Sequence, residues 1–432
     1  MHLHSRRRFA AGLVTAGFTA PWLAKRCLAQ DELPIADAPP EQTDAALERI
    51  FVDNSEPPEG EYVVKGLYDW PLWWEETPLE MAVWPADAET IDYAHLPSPN
   101  SDASFALNDA ALRRIVASHG YSRLAAAPPL VLFGVRGARR AAEPTSPPDF
   151  ENEVEIVEVP PDHFDYKCLL GVWNTESRKV WVTAASTAPH VAYLYAQREA
   201  STFSNEANMM PTGLYRYRVG THRNGTPSLQ PGAFRTAERA FAVLRCVQYG
   251  PLTMSRGQYW DTAPTNHGNN IHAGTYGTRA DRPRFWSAGC QVLPGYYSDE
   301  NGVPSEENAF PQGDWARFRI AAGLARAPRI TRHEELAPGR FNVETSEDGR
   351  RYEYLLTTGR DVRLAGEGRD ARTLRFGSSG PKVKALQAAL GLPPGQRDGI
   401  FGPGVQKLVL AKGDTHTPIV DARLASVLGF DL

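Results

Sequence analysis

The sequence predicts a multidomain protein in which a mainly β central domain is followed by a small domain of three short helices. The chain has 432 residues, more than one ordinary hydrophobic core accommodates, and 42% of them are hydrophobic and 22% charged, as in globular proteins. Strand-like runs fill the middle of the chain, whereas its end holds amphipathic helices separated by glycine-rich turns. The predicted divisions are a leader at 1–29, an acidic linker at 30–61, a module of unassigned role at 62–147, the β domain at 148–330, a linker at 331–371 and the helical domain at 372–432.

The leader resembles a twin-arginine export signal. Three arginines at 6–8 precede a mildly apolar run at 10–24, and Lys25 and Arg26 follow that run. The run is shorter than the about 20 residues that a membrane-spanning helix needs. We therefore expect cleavage after Ala29, a periplasmic or secreted protein exported by the twin-arginine route, and no stable membrane insertion after processing. The alternative is a basic amphipathic tail that stays attached.

The charge of the chain argues against a nucleic-acid partner. The formal net charge is −5, and loss of the leader, which holds five basic residues and no acid, takes it to about −10. Nucleic-acid-binding domains are normally basic, so we expect no nucleic acid among the partners. Residues 31–61 carry ten acids against the single base Arg49, and five prolines interrupt them, which predicts a largely unfolded linker.

Regular elements are predicted on both sides of residue 148. The aromatic cluster at 68–74 is expected to be buried rather than to form a sugar platform. Asn108 is expected to cap a helix that runs to His119 and ends before Gly120. Strands are predicted at 130–135, 154–159, 169–174, 179–184, 214–219 and 240–249, with a hairpin turn at 175–178 and a helix at 315–323.

Cys290 and His272 are the strongest candidates for chemistry. Cys290 ends the sequence Ser-Ala-Gly-Cys at 287–290, and His272 lies eighteen residues earlier. A thiolate is a strong nucleophile near neutral pH, and an imidazole is suited to take its proton. Gly289 can adopt backbone angles closed to other residues, and the small residues around the sulfur would let a substrate carbonyl approach closely.

The cysteine count also indicates a reactive thiol. Without the leader the chain keeps Cys168, Cys246 and Cys290, and an odd cysteine in an exported protein suggests an unpaired, reactive one. Cys168 and Cys246 form either a disulfide or two buried free thiols, and their positions in sequence leave both open. We expect no metal, because the histidines at 222, 267 and 272 with Cys290 lack the spacing of a zinc site.

Three motifs in one order resemble the catalytic domain of L,D-transpeptidases, the YkuD-type fold. They are Met-Pro-Thr-Gly-Leu-Tyr at 210–215, Ile-His-Ala-Gly-Thr at 271–275 and Ser-Ala-Gly-Cys at 287–290, within residues 166–300. The resemblance implies a mainly β, L,D-transpeptidase-like catalytic domain that acts on peptidoglycan stem peptides as an L,D-transpeptidase or L,D-carboxypeptidase, without a cofactor.

The same resemblance assigns roles to single residues. Cys290 attacks the carbonyl, and His272, oriented by a backbone carbonyl, accepts the thiol proton or holds it in an imidazolium–thiolate pair. Backbone amides near Gly289 and Cys290 stabilise the oxyanion. The remaining predicted site residues are Ser287 and Gly274, which shape the site, and His267, Trp286 and Tyr276, which lie near the substrate.

Two positions depart from the family. An arginine usually stands two residues after the cysteine, where this chain has Val292 after Gln291. A glycine usually follows the histidine directly, where this chain has Ala273. The first departure affects substrate handling and favours the alternative of a non-catalytic wall-binding protein that retains the fold. A cysteine endopeptidase of another wall-lytic family ranks lower, because there the cysteine commonly precedes the histidine.

The end of the chain resembles a small three-helix peptidoglycan-binding domain. Residues 374–387 are similar to the start of that domain, and 398–403 to its central loop. Helices are predicted at 383–390, 405–410 and 418–428. The family's last long helix is broken here at 411–414, so a retained fold without glycan affinity is the alternative to peptidoglycan binding.

Overall fold

The structure is a computed structural model of the chain. It describes residues 103–125, 128–142, 144, 146–159, 166–190, 208–226, 229–245, 260–262, 267–274, 285, 287–297, 311–412 and 417–432. The predicted leader, the acidic linker and the aromatic cluster at 68–74 lie outside these residues. In the described part of the chain, no helix is long and apolar enough to cross a membrane.

Sixteen strands and six α-helices are described. The strands are β1 (Phe105–Asn108), β2 (Leu130–Arg136), β3 (Ala138–Arg140), β4 (Glu153–Glu158), β5 (Cys168–Asn174), β6 (Lys179–Ala185), β7 (Asn208–Met209), β8 (Gly213–His222), β9 (Gln230–Thr236), β10 (Val243–Arg245), β11 (Trp260–Asp261), β12 (Ile271–Ala273), β13 (Gln291–Leu293), β14 (Ile330–Ala337), β15 (Arg340–Thr345) and β16 (Arg351–Thr358). The helices are α1 (Asp109–Ser118), α2 (Gly313–Ala321), α3 (Gly359–Gly366), α4 (Pro381–Ala389), α5 (Pro403–Lys412) and α6 (Ala422–Leu428).

An eight-stranded mixed sheet organises the molecule. Its strand order is β13-β12-β9-β8-β16-β2-β5-β6, with β12–β13 and β16–β2 parallel and the other pairs antiparallel. Side chains alternate between its faces, so that Val131 and Phe133 enter one buried cluster and Leu132 enters the other. Burial of both faces explains why the central strands β2 and β5 are apolar nearly throughout.

Helices cover the two faces of this sheet. On one face, Trp315 and Phe318 of α2 pack against Phe234 of β9 with their rings edge-on. On the other, α1 and α3 pack with a second sheet of order β1-β4-β3. The remaining strands form a small sheet of order β11-β10-β7 and the hairpin β14-β15.

The predicted domain boundaries do not follow the structure. β2, from the predicted module at 62–147, and β16, from the predicted linker at 331–371, lie side by side in the middle of the large sheet. The segment predicted as a linker also forms β14, β15 and α3. Segments far apart in sequence share one core here, because sheet neighbours are selected by tertiary packing rather than by local pattern.

Several local predictions are confirmed. Asn108 caps α1 through a hydrogen bond from the amide of Ala111, and Gly120 follows the helix with a positive φ of 66°. The turn between β5 and β6 contains Arg178 in the left-handed region. Helix α2 begins two residues earlier than predicted, and β10 is shorter than the predicted strand at 240–249, of which residues 246–249 lie outside the described part.

The C-terminal helices α4, α5 and α6 surround a core of their own, as the sequence predicts. This C-terminal domain also contacts the large sheet. The amide of Leu214 donates to the carbonyl of Phe376 at 2.8 Å, and the Phe376 ring stacks on Tyr215 at 4.7 Å. Gln406 of α5 accepts a hydrogen bond from the amide of Ala242 at 2.9 Å. The domain is therefore packed against the sheet at several points.

A fully buried ion pair joins the two parts. Arg375 donates to both carboxylate oxygens of Asp361, at 2.7 and 2.9 Å, and to the hydroxyl of Thr212 at 2.8 Å. Burial raises the pKa of Asp361, but the charges of Arg375 and His119, together with the hydrogen bonds from Arg375 and Thr357, outweigh burial and lower that pKa to about 2. The carboxylate therefore stabilises the fold above its unfolded pKa of 3.8, and that contribution is lost as the pH falls toward 2.

Replacement of the buried carboxylate tests this ion pair. We expect Asp361→Asn to destabilise the protein by about 3–5 kcal/mol, because it leaves the charge of Arg375 buried without a counter-charge. The measurement is urea denaturation at pH 7. The matched control is Glu344→Gln, which removes the carboxylate of an exposed ion pair with Arg332 and is expected to leave the midpoint unchanged. Equal midpoints for the two variants would contradict the role of the pair.

Candidate active site

The parallel pairing of β12 with β13 places the candidate nucleophile and base together. Their register sets His272 opposite Val292. Cys290 stands two residues before Val292, and residues two apart in an extended chain lie on one face. His272 and Cys290 are therefore on the same face of the sheet. A ring nitrogen of His272 and the Sγ of Cys290 lie within 4.8 Å of each other.

Hydrogen bonds hold the turn that carries Cys290. The Ser287 hydroxyl accepts from the amide of Gly289 at 3.0 Å and donates to the carbonyl of Cys290 at 2.8 Å. The amide of Asn208 donates to the carbonyl of Ala288 at 2.7 Å. Nδ2 of Asn269 reaches the carbonyl of Gly289 at 2.7 Å. Ser287 thus holds the turn through the amide of Gly289 and the carbonyl of Cys290.

Gly289 is required by the packing of the turn. A Cβ at this position would lie 2.6 Å from the side-chain oxygen of Asn208. That oxygen accepts a hydrogen bond from Asn269 at 2.7 Å, so it is not at liberty to move aside. Asn208 and Asn269 were not among the predicted site residues, since neither belongs to a recognisable motif.

His272 is held as a neutral base. Its Nδ1 lies 2.6 Å from the carbonyl oxygen of Ala273, which only accepts, so Nδ1 carries the proton and Nε2 carries the lone pair. The side chain of Gln230 holds the backbone of Ala273 through two hydrogen bonds. Its Oε1 accepts from the Ala273 amide at 3.0 Å, and its Nε2 donates to the Ala273 carbonyl at 3.3 Å. Burial, opposed by the hydrogen bond to Ala273 and reinforced by the charge of Arg223, lowers the pKa of His272 to about 4.

Cys290 is half-buried, and its thiol donates to the carbonyl of Gly268 at 3.3 Å. The thiol proton is thus directed to a backbone oxygen, with the neutral imidazole of His272 close by. This arrangement favours a resting thiol with a nearby general base over a resting imidazolium–thiolate pair.

A second imidazole lies in the site. His222, the last residue of β8, stacks on His272 with ring centroids 4.1 Å apart and planes 12° apart. The predicted strand ended at residue 219, so His222 was considered in sequence only as a metal ligand. A strand predicted to end at residue 222 instead of 219 would have placed His222 beside β9 and β12.

The two histidines and Cys290 have the chemical types of a zinc-binding set, but their geometry does not fit an ion. Near-parallel rings direct their in-plane lone pairs side by side instead of toward one point. Nδ1 of His222 is also engaged at 3.0 Å with Nδ2 of Asn270. The arrangement fits proton transfer.

Two of the other predicted site residues, Gly274 and His267, lie in the part of the chain that the structure describes. Gly274 packs where a Cβ would collide with the hydroxyl of Tyr166. His267 lies edge-on to Phe241 at 5.7 Å and precedes Gly268, whose carbonyl receives the Cys290 thiol. Trp286 and Tyr276 lie outside the described residues.

Cys168 is a buried free thiol that accepts a hydrogen bond from the Thr187 hydroxyl at 3.3 Å. The sequence left open whether Cys168 is in a disulfide or is a buried free thiol, and the structure shows the free thiol. Cys246 lies outside the described residues.

The position that departs from the family is fully apolar here. Val292 is completely buried opposite His272. Arg223, which is buried and has a positive φ of 52°, lowers the pKa of both histidines, and Arg235 also lowers that of His222. Sequence reasoning did not identify Arg223, because it follows β8 rather than the cysteine.

Comparison with known proteins adds no family to this geometry: no protein-family model, no curated protein and no solved structure matches the chain.

Substitution of Gly289 tests the packing of the turn. We expect Gly289→Ala to slow the alkylation of Cys290 by iodoacetamide and to cost about 1–3 kcal/mol of stability, because the new methyl group overpacks against Asn208. Peptide mass spectrometry measures the first effect and urea denaturation the second. Gly402→Ala is the control, since a Cβ there meets nothing within 4 Å. Equal effects of the two substitutions would contradict the requirement for glycine at 289.

Proposed function

We propose that the protein is a peptidoglycan-modifying cysteine enzyme that acts on stem peptides through a thioester at Cys290. The observation that carries this proposal is the placement of the Cys290 thiol beside the neutral imidazole of His272, on one face of the sheet. The order of the motifs and the C-terminal resemblance supply the substrate class. The reaction is that of an L,D-transpeptidase or an L,D-carboxypeptidase.

In the proposed reaction, Nε2 of His272 accepts the thiol proton as the sulfur attacks the peptide carbonyl. The C–N bond breaks, the imidazolium returns its proton to the departing amine, and the acyl group stays on sulfur. An amine or water then resolves the thioester. The Gly289 amide already donates to Ser287, so its part in this scheme is to hold the turn.

The carbonyl of Ala273 is the group that orients the base. A backbone carbonyl stabilises the imidazolium less than a carboxylate does, because it is a dipole and carries no charge. The proposed resting state is therefore the neutral pair, in which the proton moves only as the sulfur attacks.

Export and wall binding complete the proposal. The twin-arginine signal would deliver the chain to the periplasm or the exterior, where peptidoglycan lies. The C-terminal domain, packed against the sheet by Phe376 and Gln406, would hold the enzyme on its substrate.

The second candidate function is non-catalytic cell-wall binding by a protein that retains the fold. It is favoured by one observation, the buried Val292 at the place of the family's arginine. The activity of the isolated protein on peptidoglycan separates the two candidates.

The first test removes the nucleophile. We expect Cys290→Ala to reduce processing of purified sacculi and stem peptides by a factor on the order of 10³ or more, because no thioester can form. Mass spectrometry of the released peptides measures this. Cys168→Ala is the matched control and is expected to keep the product profile, since that thiol is buried away from the site beside Thr187. An unchanged profile for Cys290→Ala would overturn the enzymatic proposal.

The second test identifies the resolving nucleophile. With an added amine acceptor, we expect part of the hydrolysed product to be replaced by a new amide, because a thioester partitions between amine and water. Intact-mass spectrometry of the enzyme follows the acyl group on Cys290, and peptide mass spectrometry follows the products. Hydrolysed product alone at every acceptor concentration would exclude transpeptidation of that acceptor and indicate a carboxypeptidase.

A further inference from the structure

We propose that His222 is a positioning residue whose ring seals one face of His272 from water and so keeps the base in its uncharged, proton-accepting form. The proposal rests on the proposed function insofar as His272 serves Cys290. No motif points to His222, and its role follows from its contacts alone.

The stacking geometry provides the seal. The ring centroids lie 4.1 Å apart and the planes are 12° from parallel, so the two rings stack face to face in van der Waals contact. Both side chains are almost completely buried. Water that would solvate an imidazolium at His272 is therefore excluded from this side by His222 itself.

A hydrogen-bond chain fixes the sealing ring. Oδ1 of Asn270 accepts from the amide of Thr236 at 3.1 Å, which leaves its Nδ2 as the donor toward Nδ1 of His222 at 3.0 Å. An Nδ1 that accepts a hydrogen bond carries no proton, so the neutral His222 ring is protonated at Nε2. The two rings are thus held in opposite tautomers, since His272 is protonated at Nδ1.

The positive charges around the two histidines lower their pKa values, as burial does. Burial lowers the pKa of His222 well below its ordinary value, and His272, Arg223 and Arg235 lower it further. Arg223 also lowers the pKa of His272. Within the cluster of His222, His272 and Cys290, the thiol of Cys290 is the group that gives up a proton. With two arginines close by, a charge on either ring is unfavourable, and the proton from Cys290 has His272 as its acceptor.

Removal of the seal should be visible in the titration of His272. In His222→Ala, water reaches the exposed face and solvates the imidazolium, so the pKa of His272 rises from about 4 toward its ordinary value of 6.5. We expect a shift of about one to two pH units. His222→Phe keeps an aromatic ring on that face and is expected to titrate like the wild type.

The measurement is a pH titration of the full chain labelled with ¹⁵N-histidine and followed by long-range ¹H–¹⁵N NMR. His272 is assigned by the signal that is lost in His272→Gln. The alkylation rate of Cys290 by iodoacetamide between pH 4 and 8 gives a second readout that needs no peptidoglycan. His222→Gln, which lacks a ring but keeps a polar side chain, replaces His222→Ala if the latter does not fold.

The outcomes separate the role of a seal from a merely structural one. An unshifted His272 titration in the ring-free variant would overturn the proposal, even if the variant is less stable. An equal shift in His222→Phe would overturn it as well, because the ring would then not be the element that matters. A shifted titration in a protein without activity on sacculi would support the role of His222 while the proposed function fails.

Discussion

The buried ion pair between Arg375 and Asp361 is the constraint on which the rest of the structure depends. Asp361 stands in the first turn of α3, where it also completes a capping box with Thr358. Arg375 opens the C-terminal domain and bonds to Thr212, which leads directly into β8. Since both charges lack access to water, the helix, the domain and the strand entry are held at one point. β8 then runs from this point to His222, so the ion pair also anchors one wall of the candidate site.

Burial explains the chemistry that the site favours. A solvated histidine is partly charged at neutral pH, whereas His272 is desolvated and stays neutral. A neutral imidazole beside a thiol does not stabilise a resting thiolate, which limits unwanted oxidation and alkylation of Cys290. In the proposed reaction, the proton moves when a carbonyl arrives to share the developing charge. The site is therefore suited to a nucleophile that is activated by its substrate.

Sequence reasoning succeeded where the signal was local. The cap at Asn108 and the hairpin turn before Lys179 each follow from a few adjacent residues, and the structure contains both. The pairing of His272 with Cys290, eighteen residues apart, came from the order of the motifs, and the structure places a ring nitrogen and the sulfur within 4.8 Å. It failed where position depends on partners distant in the chain. β16 was taken for part of a linker although it pairs with β2 and β8 in the middle of the sheet.

The same limit applies to His222, with an added local cause. The register between β8 and β9 is irregular between Gly220 and His222, so simple alternation along the strand does not tell which way His222 points. The residues that hold the site, Asn208, Asn269, Asn270 and Gln230, are polar and buried. In sequence alone a buried amide cannot be distinguished from a loop amide, because only its hydrogen-bond partners define it.

The apolar residue at 292 is best understood together with Arg223. A guanidinium at 292 would lie opposite His272 in the register, at a position that is completely buried in this chain. A second buried cation there would add to the repulsion that Arg223 already exerts on the protonated base. With valine at 292, the cations that act on the histidine pair come from elsewhere: Arg223, which follows β8, lowers the pKa of both rings, and Arg235 of β9 lowers that of His222. The apolar residue at 292 therefore limits the positive charge beside the candidate base.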